Sequence, residues 1–574
     1  MSPEQALEQR FRSAIAVAFG PEYADVDPLI RPSQYADFQA DVALPLARRL
    51  ARPPREIADD LVAALEIDDL SEPPEISGPG FVNLVLRSQW LGEAAGVLAS
   101  DPRLGVPTQD PQVVVVDYSA PNVAKEMHVG HLRTTVVGDA LARILEHLGH
   151  RVIRQNHVGD WGTPFGMLIE HLVDVGEDSE AARALADDPN AFYQAARRAF
   201  DESDDFAQRA RRRVVALQAG DPDTLRLWHH LVELSKVYFH RIYDRLGVLL
   251  TDDDLAGESS YNDDLAKVCD ELESDGLATV SDGALCVFLE GFTGREGRPL
   301  PLIVRKRDGG YGYATTDLAT VRHRVRDLGA ERMLYVIGAP QDLHLRMVWE
   351  TARLAGWLPA EVDVVHVQIG SVLGSDGRML RTRSGSPIRL MALLDEAVDR
   401  AAALLAERRP DLDAEIRAAL APVVGIGAVK YADLSVAHDS EYTFDLDRMV
   451  ALQGNTGPYL QYAAARVRSI FRRADEPVDG PRAIRVAEPA ERALAIALLG
   501  FGDVVAQVGR DLEPHRLCGY LFDLAQAFTR FYEDCPVLKA EPDVRESRLG
   551  LCALTLGVLE SGLGLLGIDA PEQM

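Results

Sequence analysis

His128 and His131 stand three residues apart with Gly130 between them, so on a helical turn both imidazoles share one face and the glycine lets another group approach the backbone. Two imidazole donors beside the positive end of a helix suit an anionic phosphate whose charge grows in a transition state. Lys125 lies just upstream. Lysine plus arginine number 60, yet only six are lysine: Lys125, Lys236, Lys267, Lys306, Lys430 and Lys539. A compact ammonium on a flexible stem follows a phosphate through a change of geometry better than a planar guanidinium does, so a lysine here points to phosphate chemistry. The plainer readings are a pair of helix-start histidines and a solvated surface lysine. Position argues against both, because the cluster follows Val113-Val114-Val115-Val116-Asp117, a β-branched run typical of a buried parallel strand. The carboxyl end of such a strand is where open α/β sheets take nucleotides.

The elements around this cluster read as a doubly wound parallel sheet. A helix is expected over about 131–148, a second strand over 151–156 and a second helix over 164–175. Ala/Arg/Asp-rich helices over 181–218 and 225–246 then break the rhythm, and residues from about 176 to 300 read as an insertion. Strand signals resume at 332–338 and 362–367, separated by a helix over 341–355. Before the sheet, helix signals (5–19, 41–50) and a strand signal (78–86) form an α+β pattern. Beyond Leu390, apolar spacings of three and four through 421–436, 459–473, 490–508 and 516–532 predict a helical bundle. The expected fold is α/β: a Rossmann-like catalytic domain over 106–390 with its insertion, an α+β N-terminal domain over 1–105 and an all-α domain over 391–574.

Composition sets outer limits. In 574 residues, 47% apolar and 26% charged content supports large buried cores and disfavours extensive disorder. Basic residues number 60 against 89 acidic ones, a net charge of −29, which discourages indiscriminate binding to polyanions. A local basic track remains compatible with nucleic acid, with binding that salt weakens sharply. The five cysteines are scattered, with no Cys-x-x-Cys pair, so neither a disulfide framework nor a structural zinc site is expected. The first residues lack a basic leader with an apolar run, and no stretch of ~18 apolar residues is evident, so a cytoplasmic protein without a membrane partner is expected.

The pattern Ser119-x-x-Asn122-x-x-Lys125-x-x-His128-x-Gly130-His131-Leu132-Arg133 resembles the signature of class I aminoacyl-tRNA synthetases, in the form of the arginyl-tRNA synthetase family. Asn156-His-Val-Gly-Asp-Trp-Gly, Gly257-Glu-Ser-Ser-Tyr, Tyr313-Ala-Thr-Thr-Asp317, Tyr335-Val-Ile-Gly-Ala-Pro-Gln341-Asp-Leu-His344 and Gly454-Asn-Thr-Gly-Pro-Tyr459 resemble further blocks of that family in its order, and the likeness runs to Met574. The resemblance implies an arginine–tRNA ligase of protein synthesis with ATP and Mg2+ as co-substrate, L-arginine and tRNA(Arg) as partners, no tightly bound cofactor or structural metal, and a monomer. Lys125, His128 and His131 would carry catalysis. His128, Gly130, His131, His366, Gly370, Val372 and Arg381 would hold ATP. Asp117, Ser119, Asn122 and Gln341 would hold arginine, with Tyr313 and Asp317, four apart, reading its side chain. By spacing alone Asp317 would be taken for a helix N-cap before Leu318.

The second signature loop of the class, usually Lys-Met-Ser-Lys, should follow the strand ending near His366. Here the residues from Gly370 to Gly385 contain no lysine, only Arg378, Arg381 and Arg383. The resemblance implies that Lys125 takes over stabilisation of the departing pyrophosphate, and that bound tRNA precedes arginine activation. For tRNA it implies Tyr459, Tyr462 and Arg466, one helical stripe of two aromatics and a cation, together with Tyr532 and Met574, at the anticodon loop. Gln39 and Asn83 would meet the tRNA elbow. The basic runs Arg48–Arg55 and Arg209–Arg213 read as solvated helix faces. Two alternatives stand beside this reading: another class I nucleotidyltransferase, or a synthetase-like tRNA-binding protein without aminoacylation activity.

Overall fold

The computed structural model describes every residue except Met1, Thr163, Arg295, Glu296, Ser375, 382–387, Asp479 and Pro481. Its N-terminal portion carries an antiparallel sheet of short strands, β1 (Ile30–Pro32), β2 (Phe38–Ala40), β3 (Glu75–Ser77) and β4 (Phe81–Leu84), in the order β1-β2-β4-β3. Phe38, Ala40, Val82 and Leu84 point into the core, while Gln39 and Asn83, paired in register, share the opposite face. Only the last of these strands was expected, because three-residue strands are too short to display a period of two.

The catalytic portion is built on four parallel strands, β5 (Val113–Asp117), β6 (Arg151–Gln155), β10 (Arg332–Gly338) and β11 (Asp363–Ile369), in the order β11-β10-β5-β6. The chain between β6 and β10 includes a small antiparallel sheet of β7 (Ala278–Ser281), β8 (Ala284–Thr293) and β9 (Pro299–Arg305), so the interruption runs beyond residue 300. Both faces of the parallel sheet are covered, as a doubly wound fold requires. Val114 and Val116 join the core that contains Leu132, Val136 and Ala140 of the Val129–His147 helix. Val115 faces the other way, among Leu318, Met333 and Val348. Strand order reverses between β5 and β10, and a crevice opens at the carboxyl ends of these two strands.

The insertion is more broken than its composition suggests. The expected helix over 181–218 is three pieces, Glu180–Arg183, Pro189–Glu202 and Asp204–Gln218, each started by a side-chain cap from Ser179, Asp188 or Ser203. The long Pro222–Leu246 helix packs against the sheet region through Tyr243 and Ser235. In the C-terminal bundle, the helix expected over 490–508 divides at Gly500 into Pro489–Leu499 and Phe501–Asp511. The stretches Pro489–Asp511 and Pro542–Leu565 are long and apolar enough on average to cross a membrane, though charged residues interrupt both; 56% and 72% of their most apolar windows are buried in the fold, as in core helices of a bundle. Two-residue strands β12 (Val372–Leu373) and β13 (Tyr442–Thr443) pair in parallel and tie the second loop to the segment that follows the Ala414–Leu434 helix.

Candidate active site

The loop between β5 and the Val129–His147 helix is held in a conformation that ordinary side chains avoid. Ser119, Ala120 and Ala124 have φ of 72°, 47° and 57°, in the left-handed region that costs non-glycine residues free energy. A buried network over-determines it: Asn156 Oδ1 accepts from Ala120 N (3.0 Å), Asn156 Nδ2 donates to the Tyr243 hydroxyl (2.9 Å), that hydroxyl bonds Ser119 Oγ (2.8 Å), and Ser235 Oγ accepts from Ala124 N (3.1 Å). Two of the three clamping residues, Tyr243 and Ser235, come from the insertion, which thereby fixes the chain that enters the signature helix.

His128 is the N-cap of that helix. Its Nδ1 accepts from Gly130 N, and His131 Nδ1 accepts from His128 N, both at 3.1 Å. Each neutral ring therefore carries its proton on Nε2, available as a donor. The ring centroids lie 4.1 Å apart. Burial lowers the pKa of His128, and burial, with its neighbour His128 and Lys125, pushes that of His131 down to about 3. Burial thus holds both rings towards the neutral form, as hydrogen-bond donors at the helix N-terminus aimed at a negative group.

These residues open on a cleft of about 780 Å³. Asp117, Ser119, Asn122, His128, Gly130, His131, Tyr313, Asp317, Gln341, Gly370, Val372 and Arg381 all line it. Twelve of the fourteen residues expected at the catalytic centre are thus brought together. Lys125 is not among them: its ammonium lies 5.2 Å from the centroid of the Tyr193 ring, on the insertion. Nor is His366, whose ring is turned from the cleft towards Ile337 O (3.2 Å) and Asp342 Oδ1 (3.5 Å). Arg383 lies outside the described residues.

The far end of the cleft is acidic. Tyr313 opens the Tyr313–Arg326 helix, so Asp317 sits one turn inside it, and the N-cap alternative for this residue is excluded. Asp317 Oδ2 is 2.6 Å from His344 Nε2, and this contact raises the histidine's pKa. Glu258 stands nearby: burial, Asp160 and Asp317 together push its pKa up to about 8. Asp160 accepts from Ser259 N and Oγ at 2.9 and 2.7 Å. Glu258 and His344 were quoted in the sequence blocks without a role; the available signal was their position in Gly-Glu-Ser-Ser-Tyr and beside Gln341. At the opposite wall Asp117 is buried, one oxygen bonded to Arg324 Nη2 (2.7 Å) and the other without a hydrogen-bond partner among the described residues.

Outside the cleft, Arg466 lies 4.7 Å over the Tyr532 ring and Tyr462 is exposed, so the expected stripe faces outward on the Gly457–Ala474 helix. Tyr459 packs instead against Phe522, with ring centroids 5.7 Å apart. The Met574 side chain is buried with Leu405, Leu420 and Ala465, and Arg409 takes its carbonyl. Arg468 and Arg472 bond carbonyls of the same tail, at Pro571 (2.7 Å) and Glu572 (3.0 Å). Arg209 and Arg213 are likewise engaged, by Glu170 and Asp174.

A parallel sheet interrupted by an insertion, paired imidazoles at the start of its first helix and a helical bundle behind it define a class I aminoacyl-tRNA synthetase. Residues 93–446 match the family model of tRNA synthetases class I (R), catalytic domain, residues 5–86 the arginyl tRNA synthetase N terminal domain and residues 460–574 the DALR anticodon binding domain. The arginine–tRNA ligase of Thermobifida fusca is 68% identical over 574 residues, with 100% of both chains covered, and that of Frankia casuarinae 52% over 564 residues, with 96% of each covered. Solved arginyl-tRNA synthetases superpose along their length: that of Plasmodium falciparum with a TM-score of 0.84 at 27% identity, covering 99% of each chain, and that of Thermus thermophilus with 0.81 at 25%, covering 100% of each. The chain belongs to the arginine–tRNA ligase family. As such it is an enzyme of aminoacyl-tRNA synthesis, and its substrates are arginine, ATP and tRNA.

Proposed function

We propose that the cleft activates L-arginine with Mg-ATP and passes the arginyl group to the 3′-terminal adenosine of tRNA(Arg), with the following division of labour. The arginine carboxylate attacks the α-phosphorus, pyrophosphate leaves, and the 2′-hydroxyl of the terminal adenosine then displaces AMP from the mixed anhydride. Neither step needs a protein nucleophile, so the chain contributes position and charge stabilisation. The observation that carries this reading is that Asp317, with its His344 partner, and the His128/His131 pair line one cleft.

His128 and His131 donate through Nε2 to phosphate oxygens as negative charge accumulates. Gly130, Gly370, Val372 and Arg381 border the nucleotide. Asp317, with Glu258 and Tyr313, reads the guanidinium, and Asp117, with Ser119, Asn122 and Gln341, receives the backbone end of the substrate. Mg2+ would accompany ATP as co-substrate and would supply neutralisation of the phosphate charge. Lys125 stabilises pyrophosphate once its ammonium leaves Tyr193; His366 meets ATP through the β11 backbone. Gln39 and Asn83 present one face to the tRNA elbow, and Tyr462, Arg466 and Tyr532 face the anticodon loop, while Tyr459 supports them from within. The buried Met574 orders the tail beneath them. We assign residues 1–105, 106–390 and 391–574 as three domains of a cytoplasmic monomer.

Arginine-dependent ATP–pyrophosphate exchange, run with and without tRNA, tests this. Asp317→Asn should raise KM for arginine far more than it lowers kcat, and His128→Ala should do the reverse. Equal effects on both constants in both variants would contradict the division.

A further inference from the structure

Free arginine carries two cations, an α-ammonium and a guanidinium, and the cleft offers two carboxylate ends, Asp117 buried and Asp317 half-buried. Charge alone does not say which cation meets which end. Asp117 and Asp317 both line this one cleft, with Tyr335 between them in the same lining. Their own partners differ in kind. Asp317 is bonded to His344, a titratable ring on the cleft wall that can surrender its proton when another cation arrives. Asp117 is bonded to Arg324, whose side chain is completely buried behind it and cannot lose its charge.

Arg324 is pinned from three sides. Its Nη2 reaches Asp117 Oδ2 at 2.7 Å, its Nε reaches Gln155 Oε1 at 2.6 Å, and its guanidinium carbon lies 4.9 Å from the Tyr335 ring centroid. Asp117 Oδ1 is the oxygen left without a partner among the described residues. An incoming guanidinium binds a carboxylate best through both oxygens at once, whereas an ammonium is a point donor and needs only one. At Asp117 the second oxygen is taken and a fixed guanidinium already stands beside it.

We propose that Arg324 sets the direction in which arginine enters the cleft: by occupying the inner side of Asp117 it leaves a half-site that accepts the α-ammonium and refuses the guanidinium, which must then go to Asp317. Arg324 is thus a positioning residue for the known reaction, and the inference rests on the roles proposed above for Asp117 and Asp317.

The test uses n-propylguanidinium, which has the fork and no α-ammonium, titrated calorimetrically into the full-length chain. Asp317→Asn alone should weaken its binding by about tenfold or more. In Arg324→Gln/Asp317→Asn, binding should return to within a few-fold of wild type, because Asp117 can now offer both oxygens. In Arg324→Lys/Asp317→Asn it should stay weak, because the charge is retained. A purely structural Arg324 would lower the melting temperature without creating a propylguanidinium site. A folded Gln double variant with no recovered binding overturns the inference and leaves the pocket assignment intact. An Asp317→Asn chain that binds the probe as wild type does overturns that assignment, and the inference with it. Should the Gln variant fail to melt cooperatively, Arg324→Lys alone decides: KM for arginine should rise about tenfold at unchanged kcat, since one ammonium cannot hold both Asp117 and Gln155, and an unchanged KM overturns the proposal.

Discussion

Arginine binding should expel a proton, and the cost of replacing Glu258 should grow with pH. Glu258 is pushed up to about 8 by burial and by the neighbouring Asp160 and Asp317. At pH 7 roughly one such carboxyl in ten is ionised, and at pH 6 about one in a hundred. A guanidinium favours the ionised form, so the fraction already ionised sets the apparent affinity. The dissociation constant for arginine should therefore fall about tenfold per unit between pH 6 and 8 and level off above. His344 works in the same sense, because Asp317 raises its pKa in the empty pocket and a second cation drives its proton off. Glu258→Gln should bind nearly as wild type does at pH 6, where the glutamate is protonated in any case, and about tenfold or more weaker at pH 8.5. The assay is calorimetric titration of arginine into the full chain in two buffers of unlike ionisation enthalpy, which counts protons directly. Glu258 alone should release close to one proton per arginine at pH 7, and any proton driven off His344 adds to it. An affinity flat from pH 6 to 9 without proton release, or a variant deficit equal at both ends of that range, would refute the reasoning.

Other outcomes follow from the same geometry. His131→Ala should slow pyrophosphate exchange by on the order of 10²–10³, and the rate should show no limb from this ring between pH 5 and 8, because burial keeps it neutral throughout. Lys125→Ala should depress exchange strongly while Tyr193→Leu leaves it largely intact; an Arg381→Ala chain that is dead beside an active Lys125→Ala chain would refute the role given to Lys125. Arg133→Met should lower stability by about 3–5 kcal/mol in chemical denaturation, because it leaves the fully buried Asp433 without its 2.8 Å partner, and Asp433→Leu in the same chain should restore much of the loss.

Legibility tracked the range of the forces involved. Val113–Asp117 and Pro164–Val175 could be placed from sequence because a β-branched run and an apolar period are local properties. The His128/His131 pair was legible for the same reason: a helix start writes its caps within four residues. Asp317 resisted, since its neighbours suit a cap equally well, and only the start of the helix at Tyr313 separates the two readings. Glu258, His344 and Arg324 act across 59, 27 and 207 positions of chain, and no periodicity carries such a contact. Lysine rarity pointed to Lys125, yet Lys430 shows the same rarity used differently: it is buried, with its ammonium donating to Leu246 O at 2.6 Å. The hold of Arg409, Arg468 and Arg472 on the C-terminal tail was not legible either, since those contacts span 100 positions of chain or more.

The central claim is that a dedicated carboxylate pocket selects the cationic fork of arginine beside a phosphate-gripping helix start. Charging of tRNA(Arg) by the purified chain, with arginine and neutral citrulline compared by kcat/KM, tests it most directly. A carboxylate that citrulline cannot match with a cationic fork should give a preference for arginine on the order of 10⁴, collapsing in Asp317→Asn. Comparable charging of both amino acids, or a preference that survives Asp317→Asn undiminished, would contradict it.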